Sequence, residues 1–298
     1  VSAEASQWRE YLRTCSNTSR FGQADERGTL NYIGPAQVLA ATRTVTLGRS
    51  VSLAHDLIRE GIGEQPPAVS LEIAREGGPN GGSGDRLSVS VHGFAITHLD
   101  ALGHSFYEGA AYNGRREADV MGAAALRSCS MMAMAGGVIT RGVLLDVAAA
   151  HPLGAFQAGE GVSLGQVLEA ERRAGVEVGE GDAVLVRAGI GSDPRWSTIA
   201  GAKGRPGILP EVIPWLHERR VALYGGDCME LISGDGVVAD MPLHKVGIVA
   251  MGLALLDNAD LDPLARTCDE LGRYEFLFVA APLRAPSTGC AVNPLAVF

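Results

Sequence analysis

From Val138 to the C-terminus the apolar residues keep changing period, from runs of strand length to helical spacing and back. This alternation restricts the fold more than any other feature of the chain. Val138 to Val147 reads as a strand, and a helix starts at Leu164, where Ser163 and Gln166 have capping-box spacing. A buried strand follows at Ala183 to Ala188. The same reading predicts a helix over Leu209 to Arg220, a strand at Val221 to Tyr224, a helix over His244 to Met251 and a strand at Gly252 to Asp257. A last helix over Leu261 to Leu271, capped by Asp260, precedes a strand at Tyr274 to Pro282. The first third is different. It carries strand-like stretches at Ser50 to Leu57, Ala68 to Ala74 and Arg86 to His92, and the glycines between Glu76 and Asp85 imply a hairpin loop or a lid. Strands first, then strands mixed with helices, imply an α/β (mixed α+β) class. No repeat or internal boundary interrupts residues 1–298, so a single domain with a central mixed sheet is expected.

Composition narrows the function. With 298 residues, 46% hydrophobic and 20% charged, the chain can bury a sizeable core and is not a disordered sequence. Its net charge is −9 and it has no basic run, so a nucleic-acid partner is not expected. The longest uncharged apolar stretch, Val246 to Leu256, has 11 residues, against the roughly 18 that a membrane span needs. A membrane partner is therefore not expected either. Val1 to Glu10 has no apolar core and does not read as a signal peptide, although residue 1 is Val, which is what removal of an upstream segment would leave. Five scattered cysteines, without the close pairs of zinc ribbons, suggest reduced thiols and a cytoplasmic location.

The densest chemistry lies in Thr97-His98-Leu99-Asp100-Ala101-Leu102-Gly103-His104. In an extended segment His98 and Asp100 point to one side, where an imidazole and a carboxylate suit Zn²⁺ or Mn²⁺. Taken alone, the segment fits a surface loop with two histidines equally well. A second pair is His244, opening an apolar helix, and Asp257, closing an apolar strand. A buried carboxylate there needs a partner or a metal, whereas an exposed one would cap the turn before Leu261. His55 and His92 read as structural histidines near a pocket, His151 and His217 have no assigned role, and Cys228 reads as buried packing. Arg187, ending a buried strand, fits a substrate carboxylate or an internal Asp equally.

These residues resemble the metal-dependent cyclase family, which includes bacterial kynurenine formamidase and isatin hydrolase. Thr97-His98-x-Asp100-x-x-x-His104 is similar to the core of its H-x-G-T-H-x-D-x-P-x-H signature. Gly22 to Ile33 resembles the entry segment of the longer members, and Phe106 to Gly109 with Tyr112 to Gly114 resembles their FYDG and YNG stretch. Gly142 to Val147 resembles a family strand, and His244 with Asp257 the late His and Glu pair. The resemblance implies a swivelling β/β/α-like fold, with His98, Asp100, His244 and Asp257 as metal ligands and His104 as the proton carrier. It implies a hydrolase that cleaves an amide, imide or lactone bond of a small cyclic or aromatic substrate, with Phe94, Phe106 and Tyr107 as apolar walls. A lyase or cyclase that stabilises an enolate, and a non-catalytic binding homologue, are the alternatives. A homodimer or homotetramer is also implied. Two positions depart from the signature: Phe94 stands at its first His and Ile96 at its Gly. His92, two residues earlier, would lie a strand repeat of roughly 7 Å away and is not expected to substitute. The missing imidazole implies one divalent metal ion per chain.

Overall fold

Among the described residues nine strands form one mixed sheet, and its four central strands are parallel because each follows a connection long enough to cross over. The computed structural model describes residues 3–57, 68–191, 193, 196, 204–232 and 241–298. The central strands are β5 (Val138–Asp146), β7 (Ala183–Arg187), β9 (Leu223–Gly226) and β10 (Ala254–Asp257). On one side the sheet continues antiparallel through β11 (Glu275–Ala280), β13 (Leu295–Val297) and β1 (Ser50–Ser52). On the other side β10 pairs antiparallel with β4 (His98–Asp100), which pairs with β12 (Gly289–Ala291).

Central strands covered on both faces need apolar residues at successive positions, which is why they read as continuous hydrophobic runs. Along β5 and β7, Val143, Leu145, Val184 and Val186 enter one core, while Leu144, Ala183 and Leu185 enter the other. The first core is closed by α4 (Leu164–Ala174), by α5 (Val212–Glu218) and by Trp8 of α1 (Ala3–Thr14), while α2 (Pro35–Thr42) packs on β5 and β11 and α3 (Glu117–Val120) sends Val120 into a small separate cluster. Into the second core α6 (Asp262–Leu271) sends Leu264, Ala265 and Cys268. The mixed class and the central mixed sheet agree with the sequence.

Several local expectations change. The capping box of α4 is formed by Ser163 and Gln166, but α6 has Leu261 at its N-cap with no side-chain cap. Asp260 instead accepts a 3.4 Å hydrogen bond from the amide of Asp262. The predicted helix at His244 is a π-helix over Leu243–Met251, a wider coil often found at functional sites. The first-third strands β2 (Val69–Glu76) and β3 (Gly82–Val89) form a separate antiparallel hairpin, and β6 (Gly161–Val162) and β8 (Gly207–Ile208) pair in parallel outside the main sheet. Gly82 and Gly84 pair with Glu76 and Ala74, so only the residues between the strands are loop.

Candidate metal centre

The site grows from the register of three short strands. In β4, His98 and Asp100 share a face because side chains alternate with period two. Directly opposite His98 in β10 is Asp257, and directly opposite Asp100 in β12 is Gly289. One face of the sheet therefore carries an imidazole, two carboxylates and a gap where Gly289 has no side chain. The gap is filled by the ring of His92: a Cβ on Gly289 would lie 2.6 Å from its Cε1 and 3.0 Å from its Nε2.

His92 reaches this point because the chain between it and β4 is not extended. Residues 92–96 form a series of bends, and Gly93 has φ +122°, a conformation that glycine alone adopts freely. Asn258 holds these bends by donating from Nδ2 to the carbonyls of Gly93 at 2.7 Å and Ile96 at 3.1 Å. Thr97 donates from Oγ1 to the Asn258 carbonyl at 2.6 Å. The strand-repeat spacing that set His92 aside applies only to an extended segment, so that expectation is corrected. Phe94 does not leave the cluster one imidazole short.

The ring atoms are oriented. His98 Nδ1 lies 2.7 Å from the Ile96 carbonyl, which can only accept, so Nδ1 carries the proton and the Nε2 lone pair faces Asp100 Oδ1 at 3.5 Å. His92 has Nε2 2.9 Å from Thr288 Oγ1, and its Nδ1 lies 3.1 Å from Asp100 Oδ1 without hydrogen-bond geometry. Among the described residues, His92 Nδ1, both Asp100 oxygens and Asp257 Oδ1 are buried with no hydrogen-bond partner. The ligand atoms of His92, His98 and Asp100 all lie within 4.8 Å of one another, and those of Asp100, His104 and His244 form a second such group.

His104 lies flat on His92, with ring centroids 3.8 Å apart and 7° between planes, and its Nε2 is 3.9 Å from Asp100 Oδ1. Burial pushes its pKa down to about 4 although Asp100 opposes the shift. His244, in the first turn of the π-helix, has Nδ1 2.8 Å from Glu230 Oε1, while Nε2 sits 3.5 Å from Asp100 Oδ2 and 3.6 Å from Asp257 Oδ2. Burial would lower its pKa, but Glu230, Asp100 and Asp257 together hold it well above the usual imidazole value. Burial would likewise raise Asp100, and the surrounding imidazoles outweigh it, so its carboxyl stays well below the ordinary range.

With this geometry in view, comparison with known proteins is informative. The family model named Cyclase, described as "Putative cyclase", matches residues 29–231, more than half of the chain. The chain belongs to the Cyclase family. The matched region includes His92, His98, Asp100, His104 and Glu230, and it stops before His244 and Asp257. A solved structure described as a novel cyclase is similar in fold, with a TM-score of 0.86 at 24% identity over 96% of this chain and 99% of that one. Isatin hydrolase A from Labrenzia aggregata aligns with a TM-score of 0.57 at 20% identity over 88% and 97%. Isatin hydrolase A from Ralstonia solanacearum aligns with 0.55 at 19% over 89% and 98%. No curated protein matches in sequence.

In this Cyclase-family chain, His98, Asp100, His104, His244 and Asp257 are therefore brought together, with His92 added. Phe94 lines a cleft with Met229, Met241, His244 and Asp257. Of the other two predicted wall residues, Phe106 packs on the cluster of Val120 and Leu126, and Tyr107 rests edge-on against Trp8. Arg187 is committed to Asp146 and Asp262, and burial pushes the Cys228 thiol well above its ordinary pKa. His151 lies 3.1 Å from Glu160, His217 lies 3.3 Å from Asn17, and His55 lies 4.0 Å from Asp260. Glu230 and Asn258 escaped the sequence reading. Glu230 sits 14 residues before His244, and the two meet only through the fold.

Proposed function

We propose that this Cyclase-family chain is a metal-dependent hydrolase that cleaves an amide, imide or lactone bond of a small cyclic or aromatic substrate. The observation that carries this reading is the set of four buried, partnerless polar atoms gathered on His92, Asp100 and Asp257. Unsatisfied buried acceptors are costly, and lone pairs from two imidazoles and a carboxylate facing one another are reconciled by a cation. His92, His98 and Asp100 fit one divalent ion, and their mixture of imidazole and carboxylate suits zinc or manganese. His244 and Asp257 support it from the other side of Asp100. In the second group His244 is already held at Nδ1 by Glu230 and turns Nε2 toward both Asp100 and Asp257, and on this ground we take one ion per chain.

A divalent ion in such a site supplies Lewis acidity toward a carbonyl and makes water acidic near neutral pH. His104, a partly exposed imidazole of the cluster whose ring has no hydrogen bond holding it among the described residues, takes a proton from the nucleophile and returns it to the leaving group. Stacking on His92 fixes its ring plane. Glu230 holds His244 at Nδ1 and so aims Nε2 at the two aspartates. Phe94 gives an aromatic wall on one side of the cleft.

We also take residues 1–298 as one domain, a reading supported by a sheet that pairs β1 with β13 near the opposite end of the chain. A homodimer or homotetramer is supported by the β2–β3 hairpin, which exposes Leu71, Ile73 and Leu87 although an isolated two-stranded hairpin is marginal. No helix among the described residues is long and apolar enough to cross a membrane, and a cytoplasmic location is proposed from the five free cysteines. Turnover of an amide, imide and lactone panel in ¹⁸O-labelled water tests the central reading. Label in the product supports hydrolysis. Product without label indicates the enolate chemistry of a lyase, and bound metal with no turnover indicates a binding protein.

A further inference from the structure

The cleft beside the histidine cluster contains a cation with no task in the reaction above. Arg205 is 5% exposed and lines this cleft with Phe94, Met229, Met241, His244 and Asp257. Its Nη2 donates to the backbone carbonyl of Asp227 at 2.9 Å and to Asn258 Oδ1 at 2.8 Å. Both acceptors are neutral. Its Nε is buried without a hydrogen-bond partner, and the guanidinium lies over the Phe94 ring, 5.1 Å from the centroid.

The carboxylates of Asp257, Asp227 and Glu230 lie near enough to offset part of its charge, yet none of them takes the Nε proton. Asp227 accepts from the amides of Ala188, Ile190 and Gly191, and Glu230 binds His244. Asp257 belongs to the metal cluster. A buried donor is normally paired, and with both Nη2 protons given to neutral acceptors, Nε is left to offer one charge-assisted hydrogen bond to an anionic oxygen. The guanidinium is planar by its own delocalisation, and the ring of Phe94 covers one face and helps to fix its orientation.

We propose that Arg205 is a substrate-anchoring residue, and that the substrate is a small acid whose carboxylate, or an equivalent planar anionic group, binds at Nε while its apolar body lies against Phe94 and the two methionines. This deepens the hydrolase reading and rests on it only in taking the cleft as the substrate site. It narrows the substrate class from any small cyclic or aromatic molecule to an anionic one. Arg205 also ties down Asn258, which holds the bends that carry His92, so an occupied anion site and a well-placed cluster share one support.

The test compares benzoate with benzamide, a pair of equal shape that differs in charge, by calorimetric titration of the full chain in manganese-loaded and metal-stripped form. Benzoate is expected to bind more tightly than benzamide in both forms. Arg205→Gln is expected to lose roughly tenfold to a hundredfold in benzoate affinity, the usual weight of a charge-assisted hydrogen bond, and the comparison is read in the metal-stripped form so that any loss of metal through Asn258 does not enter it. Arg205→Lys, which keeps the charge without the guanidinium, should fall between. Benzoate binding that disappears with the metal and is unchanged in both variants overturns the proposal, because the anion then binds the ion. No benzoate binding to either form overturns it as well. If the variants fail to fold, crystals of the wild-type protein with 4-bromobenzoate decide, by whether the carboxylate lies within hydrogen-bond distance of Arg205 Nε. A chain that takes up no metal refutes the hydrolase reading alone, since the metal-stripped titration still reports on Arg205.

Discussion

Replacing Gly289 by Ala adds one methyl group opposite Asp100 and tests whether His92 belongs to the site. Gly289 is not in a left-handed conformation, so its backbone accepts alanine and any effect comes from space alone. The new Cβ would lie 2.6 Å from His92 Cε1 and 3.0 Å from the Leu99 carbonyl, well inside contact distance. Retreat of His92 is opposed on two sides, because His104 is stacked 3.8 Å from it and Thr288 holds its Nε2 at 2.9 Å. Overpacking of this kind costs about 1–3 kcal/mol. Displacing one of three converging donors should weaken metal binding by roughly 10- to 100-fold, as loss of a supporting group does at other metal sites. Competition against a chelator of known affinity measures the metal constant, and thermal unfolding of the metal-free protein measures the packing cost. A Gly289→Ala protein with wild-type metal affinity would refute the placement of His92, and with it the three-residue cation site.

Other substitutions separate the remaining roles. His104→Gln should keep its metal while turnover falls by roughly 10²- to 10⁴-fold, the usual contribution of acid and base catalysis, so parallel loss of metal would make His104 a ligand. Glu230→Gln should reduce metal affinity or turnover by roughly 10- to 100-fold without unfolding the chain, and wild-type values for both would remove its orienting role. Burial pushes the Asp227 carboxyl up to about 6 despite the amides of Ala188 and Ile190. A carboxyl raised in the folded state contributes stability that is full below about pH 4 and lost as pH rises through about 6, a change on the order of 3 kcal/mol. Unfolding curves of Asp227→Asn should therefore lack this decline relative to wild type, and an identical pH dependence would contradict it.

What could be read from the sequence depended on distance along the chain. The α4 capping box needs only Ser163 and Gln166, and β5, β7 and β11 announce themselves by local apolar period. Three-residue strands such as β4 and β12 are too short to show a period, and their pairing is imposed by neighbours. His98 and Asp100 stood out because alternation alone puts them on one face. His92 did not, because its approach depends on bends held by Asn258, about 160 residues later. Only the glycine that follows His92 hinted that the strand had ended. Gly289 and Arg205 lacked even that hint. The first matters by having no side chain where His92 needs room, and the second is recognisable only by its burial with Nε left without a hydrogen-bond partner among the described residues.

Anomalous scattering at the zinc and manganese edges from crystals of the metal-loaded protein tests the central claim most directly. The account predicts one peak per chain, about 2.0–2.3 Å from His92 Nδ1, His98 Nε2 and an oxygen of Asp100. Two peaks about 3.5–4 Å apart, or a single peak outside the reach of His92, would contradict it.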